Sequence, residues 1–125
     1  MQNVIELKIA ETQTEPYISF SGGRMEIIGK SIPTDSTKLY TRVIEAFYRY
    51  SRNPLDKTEI IIDLEYINST SCRSLLNLLI VAEHIYKEGF DVAISWYHHE
   101  LDELMLEQGK IFKELLSLPF NILSR

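Results

Sequence analysis

The chain has 125 residues, of which 45% are hydrophobic and 25% are charged, and its net charge is −5 at pH 7. This length provides for one hydrophobic core rather than two, so residues 1–125 are predicted to form one domain. The acidic net charge argues against nucleic-acid binding, and the apolar runs are too short to cross a membrane. The single cysteine and the absence of a secretory signal pattern indicate a cytoplasmic protein.

The N-terminal part of the sequence predicts β-structure. Residues 4–9 alternate weakly between apolar and polar side chains, which indicates an edge strand. Residues 17–20 and 25–28 are strand-like and flank Gly22-Gly23, a pair that tolerates positive φ, so they predict a hairpin.

A first helix is predicted after the hairpin. Pro33, Thr34, Asp35 and Ser36 together supply a start signal, and Asn53-Pro54 supplies the stop. Helical spacing places one group of apolar side chains on a common face, consisting of Leu39, Val43, Ile44 and Phe47.

The strongest strand signal is "TEIIIDLEYI", residues 58–67. Its three consecutive isoleucines put apolar groups on both faces, which is typical of a central strand covered on two sides. Residues 71–88 predict a second helix that ends at Gly89, and residues 91–99 predict another strand. This strand-helix-strand order predicts a right-handed crossover between parallel neighbours. The apolar positions of the second helix are Leu75, Leu78, Leu79, Ala82 and Ile85.

The C-terminal region completes an α/β pattern. Residues 100–116 predict a helical region interrupted near Gly109, and "PFNIL" predicts a short terminal strand. The sequence therefore predicts a mixed β-sheet with an N-terminal hairpin and three or four helices packed against it.

Three short motifs suggest ligand chemistry but lack the residues that this chemistry needs. Gly29-Lys30-Ser31 is like the end of a phosphate-binding loop, yet the required earlier glycine is replaced by Arg24. Adjacent His98 and His99 would point to opposite faces of a strand, and no further ligand has metal-binding spacing. Cys72 has no activating histidine nearby in the sequence and is better explained as a packed residue. No metal or cofactor site is predicted.

The run "NSTS", residues 68–71, lies between a strand and a helix. Each of its residues is a suitable helix N-cap, but one helix needs one cap, so hydroxyl groups are left over. In open α/β sheets ligands bind at this end of the strands, and a helix N-terminus stabilises an anion. A phosphoryl group here would be attracted by Arg73 and repelled by Asp63 and Glu65. The residues alone leave both a capping role and a regulatory hydroxyl open.

Three segments carry a resemblance to a known family. The segment "YINSTSCRSLL" resembles the Tyr-hydrophobic-Asn-Thr-Ser-Ser pattern of the SiaC-like bacterial regulatory phosphoproteins. "GKSIPTDSTKLY" is similar to the family's segment that opens the first helix, and "SWYHHELDELMLEQGKIFKELLSLPFNIL" resembles its C-terminal block. Together they cover nearly the whole chain in the expected order.

The resemblance implies a non-enzymatic switch with a fold like that of STAS domains. In the family, a dedicated kinase phosphorylates the threonine after the asparagine, and a PP2C-type phosphatase removes the phosphate. In the characterised system of the family, the unphosphorylated form binds and activates a diguanylate cyclase, which controls cyclic-di-GMP and biofilm behaviour. These are the partners that the resemblance predicts.

The predicted phosphoacceptor departs from the family pattern. Ser69 occupies the acceptor position, where the family has a threonine, and Thr70 follows it. The register of the match favours Ser69 as the acceptor, with Thr70 as the alternative. The surface that would dock a partner spans residues 66–76. Its further candidate residues are Tyr66, Asn68, Ser71 and Arg73.

Two other functions are compatible with the sequence. One is a STAS-type antagonist that sequesters an anti-sigma kinase, which would share the switch and differ in its target. The other is a small enzyme that uses Asp63, Glu65 or the His98-His99 pair, although no set of nucleophile, base and orienting group is evident.

Overall fold

The computed structural model describes residues 5–33 and 35–125. Within these ranges, six strands form one sheet in chain order, and three helices pack against it. The strands are β1 Leu7–Ile9, β2 Tyr17–Ser21, β3 Arg24–Ser31, β4 Lys57–Ile67, β5 Asp91–His98 and β6 Phe120–Ser124. The helices are α1 Ser36–Ser51, α2 Ser69–Lys87 and α3 Glu103–Leu115. The predicted α/β class with a mixed sheet is confirmed.

The first three strands form an antiparallel meander. β1 lies at the edge of the sheet beside β2, which confirms the predicted edge strand, although residue 4 lies outside the described residues. Gly22 and Gly23 adopt φ values of 58° and 78° and join β2 to β3, as the predicted hairpin requires.

The remaining strands, β3 to β6, are parallel neighbours, and each crossover contains one helix. Because every right-handed crossover adds the next strand on the same side, all three helices lie on one face of the sheet. The prediction that the central strand is covered on both faces is therefore wrong. Ile60 and Ile62 are fully buried under the helices, whereas Ile61 is half-buried on the open face.

Helix α1 begins after Asp35, whose carboxylate accepts a hydrogen bond from the Lys38 backbone N–H at 3.3 Å. Thr34, which was part of the predicted start signal, lies outside the described residues. Of the predicted apolar face, Ile44 is only half-buried and the other three side chains belong to the core. All five predicted apolar positions of α2 are buried.

Helix α3 corrects one prediction about the C-terminal region. The helix continues through Gly109 without interruption, because this glycine meets the indole of Trp96. A Cβ at position 109 would lie 2.6 Å from Trp96 Cδ1, which is shorter than any normal carbon contact. The glycine therefore permits close packing of helix on sheet. The predicted terminal strand is confirmed as β6.

Candidate functional site

The junction between β4 and α2 is capped by one residue of the "NSTS" run. The Asn68 side-chain oxygen accepts a hydrogen bond from the Ser71 backbone N–H at 2.9 Å, and its amide nitrogen donates to the Pro33 carbonyl at 3.2 Å. Asn68 is therefore the N-cap, and α2 begins at Ser69, earlier than the predicted residue 71.

The three hydroxyl groups after Asn68 have different environments. Ser71 is completely buried and accepts a hydrogen bond from the Ser31 hydroxyl at 3.0 Å. Thr70 is exposed, and its hydroxyl donates to the Asn68 side-chain oxygen at 3.1 Å. Ser69 is also exposed, and its hydroxyl has no hydrogen-bond partner among the described residues. The predicted surface role of Ser71 is thus corrected, since this side chain lies beneath the surface.

Beneath the junction, buried hydroxyl groups connect three elements. The Tyr40 and Ser31 hydroxyls lie 2.8 Å apart, and Ser31 continues the chain of hydrogen bonds to Ser71. Burial raises the pKa of Tyr40 to about 12, and the hydrogen bond between its hydroxyl and that of Ser31 opposes this effect only partly. The network joins α1, β3 and the first turn of α2 by neutral groups.

The exposed surface around Ser69 carries an aromatic ring and two cations. Tyr66 is 60% exposed, and the Lys30 ammonium lies 5.9 Å from its ring centroid. Arg73 is exposed one helical turn after Ser69, so the two side chains project from the same side of α2. The positive end of the α2 dipole adds to these charges. Sequence reasoning missed Lys30, because only the strand pairing of residues 30 and 66 brings it here.

The acidic and histidine candidates are not assembled into one site. Asp63 forms an ion pair with Arg125, and Glu65 is exposed near the same end of the sheet. His98 is buried with its Nδ1 2.9 Å from the His99 carbonyl, whereas His99 is exposed. In the described part of the chain, no group of three or more His, Cys, Asp or Glu side chains is placed to hold a metal ion.

Two further motifs have structural explanations. Gly29-Lys30-Ser31 lies within β3 at a shift in strand register, so it does not form a loop before a helix. Cys72 is partly buried against the core, and burial raises the pKa of its thiol. The thiolate is therefore disfavoured despite the nearby helix N-terminus, which fits a packed residue. Among the described helices, none has the length and hydropathy to cross a membrane.

An open groove of about 620 Å³ lies beside this junction, at the carboxyl ends of β4 to β6. Tyr66 forms part of its wall together with Leu101 and Leu104, which are 81% and 83% exposed. Sequence reasoning missed both leucines, although helical spacing places Leu104 away from the buried face of α3. The other lining residues are Glu65, His99, Asp102, Glu103 and Arg125.

Comparison with known proteins shows the family to which this chain is related. The family model described as "SiaC family regulatory phosphoprotein" matches residues 9–125. The chain belongs to the SiaC family. The resemblance that was read from three sequence segments is thereby confirmed, and the hydroxyl run of this SiaC-family chain lies inside the matched range.

Several relatives of this SiaC-family chain come from Pseudomonas aeruginosa. An uncharacterized protein of strain UCBPP-PA14 is 29% identical over 119 residues, which are 94% of each chain. The crystal structure of apo-SiaC has a TM-score of 0.88 at 28% identity and covers 94% of this chain and 98% of that one. SiaC in the crystal structure of the diguanylate cyclase SiaD with its activator SiaC has a TM-score of 0.89 at 28% identity. That alignment covers 95% of this chain and 99% of the other.

Proposed function

We propose that this SiaC-family chain is a non-enzymatic phospho-switch, in which phosphorylation of Ser69 controls binding to a diguanylate cyclase and hence cyclic-di-GMP signalling. The observation that carries the proposal is the exposed, unengaged hydroxyl of Ser69 in the first turn of α2. A dedicated Ser/Thr kinase and a PP2C-type phosphatase would add and remove the phosphate. The partner assignment is supported by the relative SiaC, which is the activator of SiaD in their crystal structure.

The environment of the three hydroxyls supports Ser69 over its neighbours. Ser71 is buried and would have to leave the core before a kinase could reach it. The Thr70 hydroxyl is accessible but donates to the cap residue Asn68, so phosphorylation there would cost that hydrogen bond. Thr70 remains the alternative acceptor because it is exposed.

A phosphate on Ser69 would change the surface mainly by its charge. It adds about −1.5 to −2 charges near neutral pH and three strong hydrogen-bond acceptors. The N-terminus of α2 and Arg73 would stabilise it on the free protein. A partner that buries this surface would have to desolvate the phosphate, and this cost disfavours binding. The unphosphorylated chain would therefore be the binding form.

A catalytic role has less support from the same residues. The Asp63 carboxylate is engaged by Arg125, and the imidazoles of His98 and His99 make separate local contacts. A general base needs a reacting group within hydrogen-bond reach and a third group that orients it. Asp63 accordingly has a structural role, since its ion pair with Arg125 holds the C-terminus at the end of the sheet.

The test of the acceptor uses protein isolated from its own cells and peptide mapping by mass spectrometry. We expect phosphate on Ser69, its loss in Ser69→Ala, and its retention in Thr70→Ala and in Thr37→Ala. Thr37 is a matched control because it is exposed in the first turn of α1. Phosphate that persists in Ser69→Ala and disappears in Thr70→Ala would move the acceptor to Thr70.

The test of the switch measures binding to the purified diguanylate cyclase of the same organism by calorimetry. We expect Ser69→Asp to weaken binding about tenfold or more, which corresponds to about 1.4 kcal/mol. Ser69→Ala is expected to bind like the unphosphorylated wild type. If the wild-type chain binds no diguanylate cyclase, the proposed partner is wrong.

A further inference from the structure

Helix α1 carries a row of charged side chains, most of them cations, on its solvent-exposed side. Successive members of the row are four, three, four and three positions apart, so helical geometry places them on one side, opposite the buried face. All of them are exposed, and the row extends over about 21 Å at a rise of about 1.5 Å per residue. We call this row the α1 stripe. It consists of Lys38, Arg42, Glu45, Arg49 and Arg52.

The α1 stripe concentrates positive charge in an acidic protein. It holds four of the 13 Lys and Arg residues of the chain but one of the 18 Asp and Glu residues. Within residues 5–33 and 35–125, no ion pair joins its four cations to a carboxylate. These cations are therefore available to an anionic partner.

The exposed sides of the other two helices have a different charge pattern. On α2, Lys87 lies 3.6 Å from Glu83, and on α3, Lys110 lies 3.4 Å from Glu107. Opposite charges one helical turn apart stabilise a helix, whereas like charges at that spacing destabilise it. The α1 stripe begins with two cations four residues apart, so helix stability does not explain its composition.

The first turn of α1 shows the same departure. Acidic side chains in this turn would interact favourably with the positive end of the helix dipole, but the turn contains none and carries Lys38. This cation costs helix stability. Such local conflicts are expected where a side chain serves an interaction with another molecule.

An aromatic and an aliphatic side chain flank the α1 stripe. Tyr48 is 54% exposed, and the Arg52 guanidinium carbon lies 5.7 Å from its ring centroid. Ile44 is half-buried and lines an open depression with Tyr48, Glu45 and Arg49. Long cationic side chains with apolar stems beside an aromatic ring are typical of helices that lie on anionic lipid surfaces.

We infer that the α1 stripe binds reversibly to the phosphate headgroups of an anionic phospholipid surface. A plane of headgroups matches a straight row of cations and needs no enclosed apolar pocket, which the central residues of a protein–protein interface normally fill. Each Lys or Arg close to such a surface strengthens partitioning by about fivefold. One such cluster gives weak and reversible binding, because stable anchoring requires a second signal.

The acidic remainder of the molecule does not prevent this contact. The crossovers place α2 between α1 and α3 on one face of the sheet. The carboxylates of α3 are therefore about two interhelical spacings of 8–10 Å from α1. The Debye length is about 8 Å at physiological ionic strength, so the repulsion between these carboxylates and the lipid is screened. The inference goes beyond the proposed function and depends neither on the phosphoacceptor nor on the cyclase.

The experiment is co-sedimentation of the full-length chain with vesicles. One set contains about one-third phosphatidylglycerol in phosphatidylcholine, and the other contains phosphatidylcholine alone. We expect binding to the anionic vesicles at about 50 mM salt, a several-fold loss at about 200 mM salt, and no binding to the neutral vesicles. Absence of binding to the anionic vesicles, or equal binding to both sets, would overturn the inference.

Two double variants with the same net charge locate the contact. Arg42→Gln with Arg49→Gln should weaken partitioning more than tenfold, since each cation contributes about fivefold. Lys87→Gln with Lys110→Gln is the matched control and should bind like wild type, because it removes two exposed cations from α2 and α3. Urea unfolding shows whether both variants are folded. Equal losses in the two variants would mean that net charge rather than the α1 stripe determines binding.

Two further measurements distinguish the chemistry of the partner. Arg42→Lys with Arg49→Lys should retain binding to the anionic vesicles, because a lipid surface requires charge rather than the guanidinium fork. Polyglutamate serves as a model of an acidic protein. If the wild-type chain binds polyglutamate but not the anionic vesicles, and Arg42→Gln with Arg49→Gln abolishes that binding, the α1 stripe belongs to an acidic protein partner and the lipid assignment is wrong.

Discussion

The two serines of "NSTS", Ser69 and Ser71, have different roles because their surroundings differ. Ser69 is exposed, while Ser71 belongs to a buried hydroxyl network with Ser31 and Tyr40. Such a network stabilises the fold only when every hydroxyl has a partner, because a buried unpaired polar group is costly. The neutral phenol of Tyr40 is therefore part of what holds the first turn of α2, with the proposed phosphoacceptor, in place.

Tyr40→Phe tests this contribution through its pH dependence. The pKa of Tyr40 is raised from 10.0 to about 12, so in this range the unfolded chain releases a proton that the folded chain retains. The free energy of unfolding of the wild type therefore falls as pH rises through this range. Tyr40→Phe should be less stable than wild type by about 1 kcal/mol at neutral pH. This difference should shrink as pH rises from about 10 towards 12.

Urea unfolding at a series of pH values measures the effect. Tyr48→Phe is the control, because it removes a phenol from the exposed side of the same helix. A stability difference between wild type and Tyr40→Phe that stays constant across the range would contradict the assigned pKa.

At the scale of the element, α2 depends on a cap that also reaches another part of the chain. The Asn68 side chain accepts a hydrogen bond from the Ser71 N–H within α2 and donates one to the carbonyl of Pro33, which precedes α1. The two helix starts are thereby tied together beside the proposed phosphoacceptor. Asp102, by contrast, caps α3 through the Met105 N–H.

Substitutions of Asn68 separate the contribution of the helix cap from that of the hydrogen bond to the Pro33 carbonyl. Asn68→Ala loses both and should lower the free energy of unfolding by about 1–2 kcal/mol or more. Asn68→Asp keeps the capping acceptor and should lose less, because only the bond to Pro33 is removed. Urea unfolding measures both, with Asp102→Ala as the reference for loss of a simple cap. Equal losses in Asn68→Ala and Asn68→Asp would show that the cap itself contributes nothing.

For the whole molecule, the distance between α3 and the sheet is set by one residue pair. Gly109 lies against Trp96, and the Trp96 Nε1 donates to the Met105 carbonyl at 2.9 Å. Phe112 adds an edge-to-face contact with the indole, at 5.3 Å between ring centroids. This packing fixes the orientation of α3 on the sheet.

Gly109→Ala should destabilise the protein by about 1–3 kcal/mol, because the added methyl group displaces the indole or the helix. Intrinsic helix propensity alone predicts the opposite result, since alanine is more favourable than glycine in a helix by about 1 kcal/mol. Urea unfolding and the emission of the single tryptophan measure the change. Lys110→Ala, at an exposed neighbouring position, is expected to leave both unchanged. Increased stability of Gly109→Ala would show that the close contact with Trp96 does not exclude a side chain at position 109.

The local periodicity of the sequence was sufficient to predict most of the elements. Alternation and Gly22-Gly23 predicted the hairpin, and helical spacing predicted the buried face of α2. Gly109 misled this reasoning, because a glycine that breaks a helix locally is here required by Trp96, which lies on the neighbouring strand β5. The three isoleucines of β4 misled it too, because their coverage depends on the direction of the crossovers rather than on their own pattern.

By itself, the sequence determined the α/β class, the order of strands and helices, the family resemblance and the position of the candidate hydroxyls. Only the tertiary structure decided that all helices lie on one face and that Ser69 is free while Ser71 is buried. The physical reason is the range of the interactions. Turns, caps and periodic burial depend on residues near in sequence, whereas the state of a hydroxyl depends on partners such as Ser31, which is 40 positions from Ser71.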